Sequence, residues 1–136
     1  MRTLLPVLAL FFAIVSLSSA AETEAPKVAP KDAAKLVAEG KAVLVDCREA
    51  SEWADTGVAA PATLLPKSDF DGDKKLWKEF LAKNKGKQVI LYCRGGSRAG
   101  TVAAALNEQG VAAANAGGFK DWTAAGLPTR KSDEKK

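Results

Sequence analysis

The sequence places a cysteine where an apolar run gives way to a short turn that contains glycine. The run covers residues 89–92 and ends at Cys93, and from residue 99 onward apolar residues recur at the three- and four-residue spacing of a helix. The residues between the cysteine and this helix are Arg94, Gly95, Gly96, Ser97 and Arg98. The pattern predicts a thiol on a tight loop between a buried strand and a helix.

A loop of this kind favours the thiolate form of its cysteine. Backbone N–H groups of the turn and the N-terminus of the next helix can surround an anion at the carboxyl end of a strand. Gly95 and Gly96 allow the backbone angles that such a curl requires, and two arginines add positive charge. These surroundings lower a cysteine pKa from about 8.5 to roughly 3.5–7.5. We therefore interpret Cys93 as a nucleophile and not as an inert buried cysteine.

The amino-acid composition excludes several kinds of catalytic and binding site. The 136 residues include two cysteines and no histidine, and Lys and Arg outnumber Asp and Glu by 20 to 16. The absence of histidine excludes Cys-His and Ser-His catalysis, and two thiolates are too few for a conventional zinc site. No basic run with interleaved aromatic residues is present. We therefore expect no metal, no cofactor and no nucleic-acid partner.

Strand and helix patterns alternate along the chain, which predicts an α/β fold with a parallel sheet and helices on both faces. Strands are predicted at residues 42–47, 62–65, 89–93 and 111–115, with a short edge strand from Val28. Helices are predicted at 33–39 (capped by Asp32), 51–56 and 74–83, after the Cys93 loop, and after Gly117-Gly118. Residues 67–73 are predicted to be a polar loop, and the apolar face of the 74–83 helix is assigned Leu76, Trp77, Phe80 and Leu81.

Both ends of the chain are predicted to lie outside the folded domain at residues 31–130. Residues 1–20 have a positive start, an apolar run and a small-residue end, the pattern of a cleaved signal peptide. The run is short for a membrane span, which needs about 20 residues, although an uncleaved anchor is the alternative. We expect export to the periplasm and no membrane association after cleavage. Residues 21–30 are predicted to be a linker and residues 131–136 a disordered charged tail.

Three stretches resemble motifs of the rhodanese family, the single-domain sulfurtransferases. Residues 92–98 are similar to the family's active-site loop, residues 43–53 to its early strand with an Asp-x-Arg, and residues 116–128 to its closing helix. The three occur in the family's order and span most of residues 28 to 130. The resemblance implies a single rhodanese-like domain with a five-stranded parallel sheet and the activity of a thiosulfate sulfurtransferase.

The resemblance also implies a mechanism. In this family the cysteine attacks the outer sulfur of a donor such as thiosulfate, becomes a persulfide, and passes the sulfur to a thiophilic acceptor. By resemblance, Cys93 is the nucleophile, the amides of residues 94–98 hold the persulfide and the leaving anion, and Arg94 and Arg98 bind the sulfonate oxygens. The implied partners are a small sulfur-containing anion as donor and a thiol, cyanide or protein thiol as acceptor. Asp46 and Arg48 match the Asp-x-Arg and are assigned a supporting, structural role.

Two rival functions are weaker. Phosphatases of the same fold have one more residue between cysteine and arginine, to fit a tetrahedral phosphate, whereas four residues separate Cys93 from Arg98. That shorter loop counts against a phosphatase or an arsenate reductase. A binding module without turnover is disfavoured because inactive relatives usually lack the cysteine. The family's Gly-His-Ile is replaced here by Thr56-Gly57-Val58, which changes the expected rim of the site.

The second cysteine leaves a third function open, a persulfide carrier or thiol-redox protein. Cys47 and Cys93 each end a predicted strand, and in the family those strands are neighbours. Adjacent strands lie about 4.8 Å apart, within the roughly 4.4–6.8 Å range of Cα separations in disulfides. A disulfide is therefore one hypothesis. The alternative is that Cys47 is a small core residue whose side chain points to the opposite face of the sheet.

Overall fold

A parallel sheet lies at the centre of the protein, whose computed structural model describes residues 24–134. The strands are β1 (Ala42–Asp46), β2 (Val58–Ala59), β3 (Thr63–Leu64), β4 (Gln88–Cys93), β5 (Ala113–Gly118) and β6 (Thr129–Arg130). The central sheet has the order β3-β1-β4-β5 with all neighbours parallel, and β2 pairs with β6 in a separate antiparallel ribbon. The strand that carries Cys93 is therefore an interior strand, flanked on both sides.

Helices cover both faces of this sheet, so the predicted α/β architecture is confirmed. They are α1 (Pro30–Ala38), α2 (Ala50–Thr56), α3 (Lys67–Asp71), α4 (Lys75–Lys83), α5 (Ser97–Glu108) and α6 (Phe119–Ala124). Alternate strand residues point to opposite faces, and two apolar cores result. One core, under α3, α4 and α5, includes Phe70, Trp77, Phe80, Val102 and Leu106. The other, under α1 and α6, includes Ala33, Leu44, Ile90, Tyr92 and Trp122.

The prediction of five strands is wrong, because the central sheet has four. The segment expected to form an edge strand from Val28 makes only one isolated parallel bridge, between Lys27 and Asn115. Pro26 and Pro30 stand on either side of this bridge. Proline has no N–H to donate, so it stops a ladder from extending in either direction.

The region between β3 and α4 also differs from the prediction. Residues 67–71 of the expected polar loop form α3, which begins after Pro66 and buries Phe70. Phe70 packs edge-on against Trp77 at 5.4 Å between ring centroids, and this packing outweighs the polar composition of the segment. Leu76, expected on the buried face of α4, is 45% exposed.

Element ends shift by a few residues elsewhere. Helix α1 begins at Pro30, so Asp32 lies in its first turn and not at its N-cap. Strand β5 covers residues 113–118, so it begins two residues later than predicted and includes Gly117 and Gly118, after which the last helix was predicted. Residues 131–134 turn back on Arg130, whose guanidinium donates to the carbonyl of Glu134. The predicted signal peptide and the last two residues lie outside the described residues. In the described part of the chain, no helix is both long enough and apolar enough to cross a membrane.

Candidate active site

The loop after β4 wraps around the sulfur of Cys93. Cys93 is the last residue of β4, and α5 begins at Ser97. The backbone N–H of Gly96 donates to Cys93 Sγ at 3.0 Å. Gly96 has a φ of 102°, and a Cβ at this position would lie 3.3 Å from the Cα of Gly117. Glycine is therefore required here, because a side chain would strain the backbone and push the N–H away from the sulfur.

Hydrogen bonds lower the pKa of Cys93 to about 5. The largest contribution comes from the thiol of Cys47, and the backbone N–H groups of Ala99, Gly96 and Gly95 add to it, whereas burial acts in the opposite direction. Donors that converge on a sulfur favour its charged form. At neutral pH Cys93 is therefore a thiolate, the form of cysteine that acts as a nucleophile.

Cys47 lies beside Cys93 on the neighbouring strand. Asp46 pairs with Tyr92 in the ladder between β1 and β4, and the next residue, Cys47, donates its backbone N–H to the Tyr92 carbonyl at 3.1 Å. Both cysteine side chains belong to the same apolar core and are free thiols. The side chain of Cys47 thus points to the same face as that of Cys93, and not to the opposite one.

The side chains of Cys47 and Cys93 differ in protonation state. The Cys93 thiolate that accepts its hydrogen bond raises the pKa of Cys47, and burial and the charge of Asp46 raise it further. The single hydrogen of the Cys47 thiol is shared between the Cys93 sulfur and the carbonyl oxygen of Tyr92, which lies 3.3 Å from the Cys47 sulfur. Cys47 therefore keeps its proton while Cys93 carries the negative charge. Cys47 has no exposed surface, and Cys93 is 1% exposed.

The two arginines of the loop have different surroundings. Arg98 donates from both terminal nitrogens to the carboxylate of Glu52, each at 2.7 Å. Glu52 also accepts the backbone N–H of Glu49 at 2.9 Å and so closes the first turn of α2. The Arg98 guanidinium holds the pKa of Glu52 at about 2. Arg94, by contrast, is exposed and makes no side-chain hydrogen bond or ion pair with any described residue. Anion binding by either arginine stays a prediction, and Arg94 has the donors free for it.

The loop is braced by the end of β5, through a residue that the sequence reasoning missed. Asn115 donates from Nδ2 to the carbonyl of Gly96 at 2.9 Å and accepts the N–H of Gly117 on Oδ1 at 2.9 Å. The backbone of Gly118 packs directly on the carbonyl of Arg94, in the space that a Cβ would occupy. A polar residue within the run Ala113-Ala114-Asn115-Ala116 was the available signal.

Asp46 and Arg48 form a buried pair behind the site. Arg48 Nη2 donates to Asp46 Oδ2 at 2.8 Å, and the exposed fractions of the two residues are 2% for Arg48 and 0% for Asp46. Arg48 also donates to Thr56 Oγ1 and to the Gly57 carbonyl, both at 2.9 Å, and its guanidinium lies 4.5 Å from the ring centroid of Phe119. The pair thus ties the end of β1 to the segment that departs from the family pattern.

A groove of about 1070 Å³ opens beside the loop. Its walls include the backbone of Gly95 and Gly96, the small residues Gly100 and Ala104 of α5, and Asn115. The groove leads past the loop amides, and the Cys93 side chain does not line it. Within residues 24–134 no group of three or more Cys, Asp or Glu side chains is arranged to hold a metal ion.

Comparison with known proteins identifies the fold and the family. The family described as "Rhodanese-like domain" matches residues 29–125 of this chain. The crystal structure of a rhodanese-like domain protein from Staphylococcus aureus is 26% identical, with a TM-score of 0.59 over 77% of this chain and 98% of that one. No curated protein matches the chain significantly.

Two further solved structures carry names that suggest different activities. The human single-domain sulfurtransferase TSTD1 is 24% identical, with a TM-score of 0.57 over 74% of this chain and 96% of that one. A protein of unknown function from Rhodopseudomonas palustris, described as a possible tyrosine phosphatase, is also 24% identical, with a TM-score of 0.63 over 78% and 85% of the two chains. At 24% identity both similarities indicate the fold alone. The activity therefore has to be argued from the residues of the site.

Proposed function

The chain belongs to the rhodanese-like domain family, and we propose that it is a sulfurtransferase that carries a sulfane sulfur as a persulfide on Cys93. One observation carries the proposal. The sulfur of Cys93 accepts a hydrogen bond from the loop N–H of Gly96 at 3.0 Å, and the Cys47 thiol together with neighbouring backbone N–H groups lowers its pKa to about 5. A thiolate in such a cradle can attack a sulfur atom, and the same amides can then hold the anionic persulfide.

Thiosulfate is the proposed donor. The Cys93 thiolate attacks the outer sulfur, the sulfur–sulfur bond of thiosulfate breaks, and sulfite leaves with the electron pair. Arg94, exposed and without a side-chain partner among the described residues, is placed to attract the sulfonate oxygens. Arg98, with both terminal nitrogens on Glu52, contributes positive charge near the sulfur. A thiophilic acceptor then removes the outer sulfur and returns Cys93 to the thiolate.

The phosphatase alternative is favoured by one similar structure and disfavoured by the loop. Four residues separate Cys93 from Arg98, one fewer than in the phosphatases of this fold. In addition, both terminal nitrogens of Arg98 already donate hydrogen bonds to the carboxylate of Glu52. A phosphate bound at the loop would compete with that carboxylate for the same donors.

We also propose that the protein is exported and acts in the periplasm, on the basis of the signal-peptide pattern at residues 1–20. N-terminal sequencing of protein from the periplasmic fraction should begin at Ala21 or Glu22. Intact Met1 on the soluble protein would contradict the proposal.

A steady-state assay tests the activity. With thiosulfate and excess cyanide, the protein should produce thiocyanate and sulfite in equal amounts. The Cys93→Ser variant is the matched control and should produce neither above background, because a hydroxyl at this position does not become a nucleophilic anion at neutral pH. Turnover of an aryl phosphate should be negligible. Rapid aryl phosphate hydrolysis without thiocyanate production would favour the phosphatase alternative.

A further inference from the structure

The mechanism above leaves one buried nucleophile unused, the thiol of Cys47. We propose that Cys47 resolves the persulfide of Cys93: it attacks the sulfur of Cys93, forms a Cys47–Cys93 disulfide and releases the transferred sulfur as sulfide. This inference rests on the proposed function and specifies its acceptor, a dithiol reductant that restores the two thiols.

The geometry brings the two sulfurs together. Cys47 directly follows the β1 residue that pairs with Tyr92, so it stands opposite Cys93 across the ladder. Adjacent strands are about 4.8 Å apart, which falls within the roughly 4.4–6.8 Å range of Cα separations in disulfides. Both side chains lie on the same face of the sheet and in one core, and the two thiols are close enough to shift each other's pKa in opposite directions. A disulfide can therefore form without either side chain moving to the opposite face of the sheet.

Cys47 can react with Cys93 and with little else. Its exposed fraction is 0% and that of Cys93 is 1%, and the reactive sulfur nearest to Cys47 in the folded protein is that of Cys93. Cys47 approaches the sulfur of Cys93 from β1, whereas the amides that hold the outer sulfur belong to the loop after β4. The proposal places the attacking sulfur on the β1 side of Cys93 and the departing sulfide on the side of the loop amides.

Loading of Cys93 makes Cys47 more reactive. In the resting protein, the hydrogen bond to the Cys93 thiolate is the largest cause that raises the pKa of Cys47. Once Cys93 carries a second sulfur, its own sulfur is no longer an anion and this cause disappears. The thiol of Cys47 then loses its proton more easily, and the proton is needed by the departing sulfide.

The step balances without an added oxidant. The Cys47 thiol and the anionic Cys93 persulfide give the Cys47–Cys93 disulfide and hydrosulfide, with the proton of Cys47 on the leaving sulfur. The sulfur–sulfur bond of the persulfide breaks with its electron pair on the outer sulfur, and an electron pair of the Cys47 sulfur forms the new bond to the Cys93 sulfur. An external dithiol then reduces the disulfide by thiol exchange and becomes a disulfide itself.

The test compares the full-length wild type with Cys47→Ser and Cys47→Ala after a brief exposure to thiosulfate and removal of the excess. Work at about pH 9, above the ordinary cysteine pKa of about 8.5, keeps Cys93 ionised in every variant. Samples are quenched over time for intact mass, and free sulfide is measured in parallel. Trypsin cuts after Lys41, Arg48, Lys87 and Arg94. The cysteines therefore fall in separate peptides, 42–48 and 88–94.

We expect the wild type to release sulfide in equal amount to a linked 42–48/88–94 peptide, and a dithiol to restore both thiols. Both variants should keep the added sulfur on peptide 88–94 at least about tenfold longer, because an oriented intramolecular nucleophile is lost. Equal persulfide lifetimes in all three proteins would overturn the inference and leave the proposed function standing. A disulfide without sulfide would also overturn it. If no protein gains sulfur, the proposed function itself fails.

Discussion

Replacement of Cys47 by alanine removes the largest single contribution to the low pKa of Cys93, which is about 5 in the wild type. A hydrogen bond to a charged group contributes about 1.5–3 kcal/mol, and about 1.4 kcal/mol corresponds to one pH unit of pKa. Loss of the hydrogen bond from Cys47 should therefore raise the pKa of Cys93 by about one to two pH units. The remaining donors, the backbone N–H groups of Ala99, Gly96 and Gly95, should keep it below the ordinary value.

The assay is the rate of iodoacetamide alkylation of peptide 88–94 as a function of pH. The wild type should show a midpoint near 5, and Cys47→Ala a midpoint shifted upward as calculated. Cys47→Ser is the matched control, because its hydroxyl can still donate to Cys93, and its midpoint should lie nearer to that of the wild type. An unchanged midpoint in Cys47→Ala would refute the assignment of Cys47 as a donor to the thiolate.

Three further changes test other parts of the site. Gly96→Ala should destabilise the protein by at least about 1–3 kcal/mol in urea unfolding, because φ is 102° and the new Cβ meets the backbone of Gly117; wild-type stability would contradict the description of the loop. Arg94→Ala should raise the KM for thiosulfate severalfold while leaving alkylation by neutral iodoacetamide unchanged, and an unaltered KM would remove Arg94 from donor binding. Pairing with Arg98 lowers the pKa of Glu52 from about 4.5 to about 2. The ion pair therefore contributes its full stabilisation above about pH 4.5, and this stabilisation is lost as the pH falls toward 2. Glu52→Gln should therefore flatten the acid limb of the stability profile, measured by thermal unfolding, and an identical profile would count against the ion pair.

The sequence predicted the centre of this site because the relevant residues are contiguous. A strand, a cysteine, two glycines and a helix follow one another at residues 89–108, so local patterns were enough to place Cys93 on a loop of amides. The neighbouring position of Cys47 was implied by the resemblance, because in the family the strands that end at the two cysteines are neighbours. Its side-chain direction depends on the register between β1 and β4, which only the structure supplies.

Long-range contacts account for what the sequence did not predict. Arg98 meets Glu52 across 46 positions of the chain, and Asn115 braces Gly96 across 19. No local pattern indicates the partner in either pair, although a polar residue within an alanine run marks the position of Asn115. The fifth strand was expected from the resemblance alone, and the prolines at 26 and 30 limit that segment to a single bridge. Helix α3 was missed because its stability comes from the packing of Phe70 on Trp77 and not from its own sequence.

The most direct test of the central claim is the mass of tryptic peptide 88–94 after a few seconds of thiosulfate exposure and a rapid alkylating quench. We predict that this peptide gains one sulfur atom at Cys93, and that brief cyanide treatment before the quench removes the sulfur as thiocyanate. Cys93→Ser should show no gain anywhere in the chain. Persistence of sulfur transfer in Cys93→Ser, or a peptide 88–94 that gains sulfur neither in the wild type nor in Cys47→Ser, would contradict the persulfide mechanism.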